Sequence, residues 1–207
     1  MKKGYFITFE GPDGAGKTTQ IELLVDYLKS QCYDVVLTRE PGGTELGEKI
    51  RQIILESGKP EMSPEAEVLL YAASRAQLID QVIKPNLSAG NVVISDRFID
   101  SGIAYQGFGR GNLDYVELVN DYLTKDCMPD LTILFKLDPQ VAAERVAHKK
   151  IKIRKESKEF YRKAMEGYEY LQGKYPDRIF TVDASLAIDE ISYQIIKMVS
   201  QKMLSQE

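Results

Sequence analysis

Apolar positions along this chain follow two alternating rhythms. Tyr5-Phe-Ile-Thr-Phe-Glu10 is apolar and rich in strand formers, which predicts a strand. Beyond it Ile21, Leu24, Val25 and Leu28 recur at i, i+3, i+4 and i+7, one face of a helix. Asp34-Val-Val-Leu-Thr38 reads as a second buried strand, stopped by Arg39-Glu-Pro-Gly-Gly43, whose Pro41 and glycines let neither strand nor helix continue. Leu46, Ile50, Ile53 and Ile54 set a short helical period closed by Gly58 and Pro60. Ser63-Pro64 opens a long helix striped by Val68, Leu69, Ala72, Ala76, Ile79, Val82 and Ile83, expected to stop at Pro85 or Gly90.

Asn91-Val-Val-Ile-Ser95 is the third strand and runs into Asp96-Arg97. A segment punctuated by Gly102, Gly107, Gly109 and Gly111 leads to a helix near residues 113–125. Leu131 to Leu137 makes the fourth strand, and Pro139 opens a helix ending near Ala147. After the basic residues 148–155, a further helix reaches about Gly173, Arg178 to Val182 forms the fifth strand, and Ile188, Ile191, Ile195 and Val199 stripe the last helix. Strands alternating with helices predict an α/β fold with a five-stranded parallel sheet and helices on both faces. No repeat or linker divides it, so residues 1–207 are expected to form one domain. Ligands of such sheets bind outside the carboxyl ends of the strands. The first three strands each end in a polar signal there: a glycine loop, Arg39, and Asp96-Arg97.

The glycine loop is the most specific of these. Gly11-Pro12-Asp13-Gly14-Ala15-Gly16-Lys17-Thr18-Thr19 fits G-x-x-x-x-G-K-[ST] between a strand and a helix. Its glycines let backbone N–H groups turn inward around anionic oxygens, and the helix N-terminus adds partial positive charge. Lys17 would reach the β- and γ-phosphates of a nucleoside triphosphate, and the Thr18 hydroxyl would ligate Mg²⁺, with Asp96 opposite.

Composition narrows the partners. Lys+Arg 27 against Asp+Glu 31 leaves the chain mildly acidic, which argues against general nucleic-acid binding. No apolar run approaches the ~18 residues of a membrane span. Met-Lys-Lys-Gly at the start lacks the apolar region of a signal peptide. Cys32 and Cys127 match no metal spacing and read as free thiols. A cytoplasmic protein is expected.

Arginine suits bidentate phosphate contacts, and Arg39, Arg51, Arg75 and Arg97 lie on segments near the same sheet edge. A hydroxyl acceptor would call for a general base nearby. A phosphate acceptor, with its second pKa of about 6, would need none. The problem would instead be to bring two anions together. Several arginines and a single histidine, His148 among lysines, favour the second case.

At this point the residues resemble a known family. Phe6-Ile-Thr-Phe-Glu-Gly-Pro-Asp-Gly-Ala-Gly-Lys-Thr-Thr19, Thr38-Arg-Glu-Pro-Gly-Gly-Thr44, Tyr71-Ala-Ala-Ser-Arg75, Asp96-Arg-Phe-Ile-Asp-Ser101, Ala104-Tyr-Gln-Gly107 and Pro129-Asp-Leu-Thr132 together look like bacterial thymidylate kinase, in that family's order. The resemblance implies a P-loop NTPase fold of the nucleoside monophosphate kinase type. The implied reaction is ATP and dTMP giving ADP and dTDP, with Mg²⁺, in a homodimer formed through long helices such as that at Pro64. By matching position Tyr71 would stack on thymine, and Arg75 and Gln106 would bond the base edge. Arg39 and Arg97 would hold the dTMP phosphate with help from Arg51. Asp13 would meet the 3′-hydroxyl, Ser101 and Tyr105 would line the sugar side, and Arg145 would lie over adenine. In that family a catalytic arginine comes from the phosphate loop or from a lid. The loop position here is Gly14, so a lid at about residues 148–156 would supply it, as Arg154 or else Lys152. The alternatives are another deoxynucleotide or deoxynucleoside kinase of this fold, or a nucleotide-binding switch. The switch is disfavoured by the absence of a guanine-reading Asn-Lys-x-Asp motif.

Overall fold

The computed structural model describes residues 4–56, 62–147 and 156–204. Strands β1 (Tyr5–Glu10), β2 (Val35–Arg39), β3 (Val92–Asp96), β4 (Leu131–Lys136) and β5 (Ile179–Asp183) form one parallel sheet in the order β2-β3-β1-β4-β5. Helices α1 (Lys17–Ser30), α2 (Glu45–Glu56), α3 (Pro64–Leu78), α4 (Lys84–Ser88), α5 (Ile99–Gly102), α6 (Leu113–Thr124), α7 (Pro139–Ala147), α8 (Lys158–Lys174) and α9 (Ile188–Leu204) connect and follow them.

Alternation along the strands divides the core. Tyr5, Ile7 and Phe9 of β1 pack with Ile21, Leu24 and Leu28 of α1 and with Ile191, Ile195 and Val199 of α9. Phe6 faces the other way, into a cluster with Leu78, Ile83, Phe98, Val116, Tyr168 and Leu171. Both faces are therefore covered, as a parallel sheet requires. The second face is polar toward the strand ends: Thr8 bonds Thr132, and Asp100 pairs with Arg178.

The structure corrects one sequence expectation, decides a second between its two alternatives and supplies an element the sequence left open. β2 is an edge strand, with Leu37 53% exposed, rather than a buried one. The long helix passes through Pro85. Residues Ile79–Ile83 form a wider helical turn in which Lys84 N–H bonds the Ile79 carbonyl five residues back. That widening relieves the clash a proline ring makes with the preceding turn, and the chain turns out only at Gly90, whose φ is 85°. The glycine-punctuated segment is also helical, α5 running directly into a wide turn at Ile103–Gly109. Its glycines allow close packing: a Cβ at Gly109 would lie 2.7 Å from the Phe160 ring of α8.

Candidate active site

The register brings the three strand-end signals together, since Arg39 pairs with Asp96 and Asp96 with Phe9. From β1 the chain turns at Gly11, where φ is 121° and a Cβ would lie 2.5 Å from the Phe135 carbonyl. Only glycine fits so close to β4. Gly16, at φ 88°, turns the loop into α1. The Lys17 ammonium donates to the Gly11 and Pro12 carbonyls, at 3.1 and 2.9 Å, and so lies folded against its own loop. Burial, with Arg97 nearby, pulls its pKa down to about 8.

After β3 the backbone takes an uncommon turn. Arg97 sits at φ 69°, left-handed for a non-glycine residue. The buried Glu10 carboxylate braces it, accepting from the Phe98 amide at 2.8 Å and from the Ser101 and Tyr168 hydroxyls. Burial, and then Asp100, push the Glu10 carboxyl up to about 7. Arg97 donates to Asp13 at 2.7 Å and to Ser101 at 3.0 Å, and lies over the Tyr105 ring at 5.3 Å. Burial opposes the charge on Asp13, but Arg97, Lys17 and Arg51 outweigh it and hold the carboxyl below its usual range.

These groups line a cleft of about 540 Å³. Of the residues singled out from sequence, Asp13, Gly14, Gly16, Lys17, Thr18, Thr19, Arg51, Tyr71, Asp96, Arg97, Ser101, Tyr105 and Gln106 line it. Arg51 donates to the Pro41 carbonyl at 2.8 Å. Tyr71 is half-buried on α3, its hydroxyl pushed up to about 12 by burial and by Glu67. Gly11, Pro12 and Ala15, also singled out from sequence, belong to the loop but do not line the cleft.

Arginines read as ligand contacts are partly used otherwise. Arg75 is 1% exposed and pairs with Glu40 and Asn120. It lies beneath Gly102, where a Cβ would be 3.2 Å from its Nη2. Arg39 is exposed and pairs with Glu48 at 2.8 Å. Arg145 donates to the Ala184 carbonyl at 3.2 Å, away from this cleft lining. Arg154 and Lys152 lie outside the described residues.

Other lining residues carried no signal recognised in the sequence: Glu67, Arg110, Glu156, Phe160 and Tyr161. Glu67 could have been found. It stands four residues before Tyr71 on one helix face, a charge on an otherwise inward stripe.

The donor set fits a divalent cation. Asp96 Oδ1 is buried with no hydrogen-bond partner among the described residues, and Thr18 lines the same cleft. No group of three or more His, Cys, Asp or Glu side chains among the described residues could hold a metal alone. That suits Mg²⁺, which uses few protein ligands and completes its shell with water and phosphate.

A parallel sheet carrying this loop and a cation-lined cleft at its strand ends defines a nucleotide phosphotransferase of the P-loop, nucleoside monophosphate kinase fold. Comparison with known proteins narrows the class. The family model described as thymidylate kinase matches residues 9–195. The chain is 44% identical over 203 residues to a thymidylate kinase of Exiguobacterium sp. strain AT1b, covering 97% of this chain and 96% of the relative. It is 45% identical over 212 residues to one of Pelobacter propionicus, covering 98% and 96%. The crystal structure of thymidylate kinase from Ehrlichia chaffeensis superposes with a TM-score of 0.77 at 36% identity, over 95% of this chain and 98% of that one. This chain belongs to the thymidylate kinase family.

Proposed function

We infer that the chain transfers the γ-phosphoryl group of ATP to dTMP, giving ADP and dTDP. The observation that carries this is one cleft holding both halves of the task. Lys17, Thr18 and the loop amides stand beside Arg97 and Arg51, and Tyr71 with Gln106 offers an aromatic face and an amide for a base. An ionised acceptor phosphate needs no general base, so catalysis consists of positioning and charge stabilisation.

Arg97 and Arg51 would hold the acceptor phosphate. Arg39 would join them by leaving Glu48. Asp13 would take the 3′-hydroxyl, Ser101 and Tyr105 the sugar side, and Arg145 the adenine. Arg75 would present to the base edge, through the gap left by Gly102, the donors not used on Glu40 and Asn120. Thr18 and Asp96 would hold Mg²⁺, which when bound neutralises charge on the β- and γ-phosphates. Arg154 from the lid would meet the transferred group. Among the described residues no helix is long and apolar enough to cross a membrane. A cytoplasmic homodimer is part of this reading. Leu69 on α3 and Leu118 and Tyr122 on α6 are exposed, by 50%, 69% and 86%, on two helices that pack together.

A coupled ADP-release assay with dTMP, dUMP, dCMP, dGMP and thymidine tests it. Turnover highest with dTMP is expected. Preference for thymidine would make this a nucleoside kinase, and ADP release indifferent to every acceptor would refute phosphoryl transfer to dTMP.

A further inference from the structure

We propose that Glu67 decides which end of the Gln106 side-chain amide faces the base, and that this makes the site select a pyrimidine with N3–H over one whose N3 is an acceptor. The inference rests on the reading that Gln106 meets the base edge of dTMP.

A glutamine amide is nearly symmetric in shape and opposite in sense at its two ends. One way round, its carbonyl accepts from N3–H and its N–H donates to the adjacent carbonyl of thymine. Flipped, the same amide complements cytosine, whose N3 accepts and whose exocyclic amine donates. The side chain alone therefore does not choose between the two bases. A group bonded to the amide from behind can break that symmetry, in addition to any donor Arg75 presents to the base edge.

Glu67 is placed to do so. Gln106 Nε2 donates to Glu67 Oε1 at 3.0 Å, and both side chains are buried, 5% and 4% exposed by residue. A carboxylate offers acceptors only, so the flipped amide would set its carbonyl oxygen against a carboxylate oxygen with no proton between them. Glu67 is itself held from the far side. Its Oε2 lies 3.4 Å from Arg110 Nε, while the two terminal nitrogens of Arg110 bond Glu156 at 3.0 and 2.6 Å. The Arg110 guanidinium also lies over the Phe160 ring at 4.6 Å. Gln106 of the wide turn after α5 and Arg110 just beyond it thus both bond the Glu67 carboxylate of α3, and Glu156 and Phe160 hold Arg110 in place. Glu67 is a positioning residue: it acts through Gln106.

The test compares kcat/KM for dTMP and dCMP in the wild type, Glu67→Gln and Glu67→Asp. Glutamine at 67 can donate or accept, so Gln106 is free to turn either way. The dTMP-to-dCMP ratio should then fall about tenfold or more, mainly through a gain on dCMP, with the ATP KM unchanged. Glu67→Asp keeps an acceptor-only group and should keep the sense of the selectivity. If Glu67→Gln does not fold, Glu67→Met, which donates nothing and accepts only weakly through its thioether, carries the same prediction. A wild type active on dTMP, with a ratio unmoved in Glu67→Gln or Glu67→Met, overturns the inference. So does an equal loss of selectivity in Glu67→Asp, which would assign Glu67 to packing. A wild type inactive on dTMP would instead sink the underlying reading.

Discussion

Replacing Arg75 by Met should cost the protein much of its stability, whatever it does to substrate binding. Arg75 and Glu40 are each 2% exposed at the side chain and joined by two hydrogen bonds, with a third from Arg75 to Asn120. Methionine fills most of the space but leaves the Glu40 carboxylate buried without its cation. Breaking such a pair from one side costs about 3–5 kcal/mol, against a total stability of about 5–15 kcal/mol. At about 2–4 °C per kcal/mol for a chain of this size, the melting temperature should drop by about 6–20 °C. The deficit should also depend on pH with a definite sign. Burial already pushes the Glu40 carboxyl above its ordinary value of 4.5, and Arg75 opposes the rise. Without Arg75 the shift grows. An upward-shifted carboxyl contributes stability that is fully present below its unfolded value and lost as pH rises through its folded value. The gap between variant and wild type should therefore widen from pH 5 to pH 8. Thermal unfolding at both pH values, alongside dTMP calorimetry below the transition, separates the two roles. A variant melting within about 3 °C of wild type at pH 8 while its dTMP KM rises would refute the structural argument and make Arg75 purely a ligand contact.

Further expectations follow from the same geometry. Lys17, with its pKa drawn down to about 8, must be protonated to hold a triphosphate, so ATP affinity should be flat below pH 8 and fall by up to about tenfold per unit above it, with proton uptake on binding seen by calorimetry in paired buffers; constant affinity from pH 7 to 9.5 would contradict this. Asp96→Asn should weaken the Mg²⁺-dependent part of ADP binding by about 10–100-fold and leave binding in EDTA unchanged; equal losses with and without metal would count against Asp96 as a ligand. Glutamates at Leu118 and Tyr122 should shift sedimentation from dimer to monomer with little change in melting temperature, and a wild type that sediments as a monomer would end the dimer proposal.

What the sequence disclosed, and what it hid, divides along locality. The meeting of the phosphate loop and Asp96-Arg97 at one cleft was legible because each signal is written in consecutive residues directly after a strand. Strand alternation gave the sheet because every connection is long enough for a crossover. The edge position of β2 was hidden, since strand order depends on contacts between β2, β3 and β1 that no short window contains. Pro85 and Gly90 could not be told apart as the helix end from sequence, because a proline stops a regular helix but not one widened by a turn just before it. The internal partners of the arginines were hidden for a related reason. Residue type declares an affinity for anions and is silent on which anion is nearest. For Arg75 that anion is Glu40, 35 residues away, and for Arg39 it is Glu48 on the next helix.

That sorting of cations has a consequence for how two anionic substrates can share one cleft. At about 4 Å and an effective dielectric of about 20, two like charges repel by about 4 kcal/mol, so free cations must stand where the phosphates meet. Lys17, Arg51 and Arg97 bear together on the one Asp13 carboxylate; Arg97 is paired with it, and three cations around one anion leave positive charge to spare there. Arg75 is neutralised by Glu40, and Arg110 by Glu67 and Glu156. The arginines on the α3 and α5 side therefore add no net field to draw a phosphate toward the surface proposed for a base. Tyr71, influenced by Glu67 and Glu40 as well as by Arg97 and Arg51, stands between the two groups. A neutral aromatic ring is the surface that can border both, because it offers a base a stacking face and a phosphate nothing. The polarity of α3 follows from the same demand. Glu67, Tyr71, Ser74 and Arg75 lie on one side of it, where a purely structural helix would carry aliphatic residues, and the partners of Glu67, Ser74 and Arg75 come from other segments: Gln106, Gly42 and Glu40.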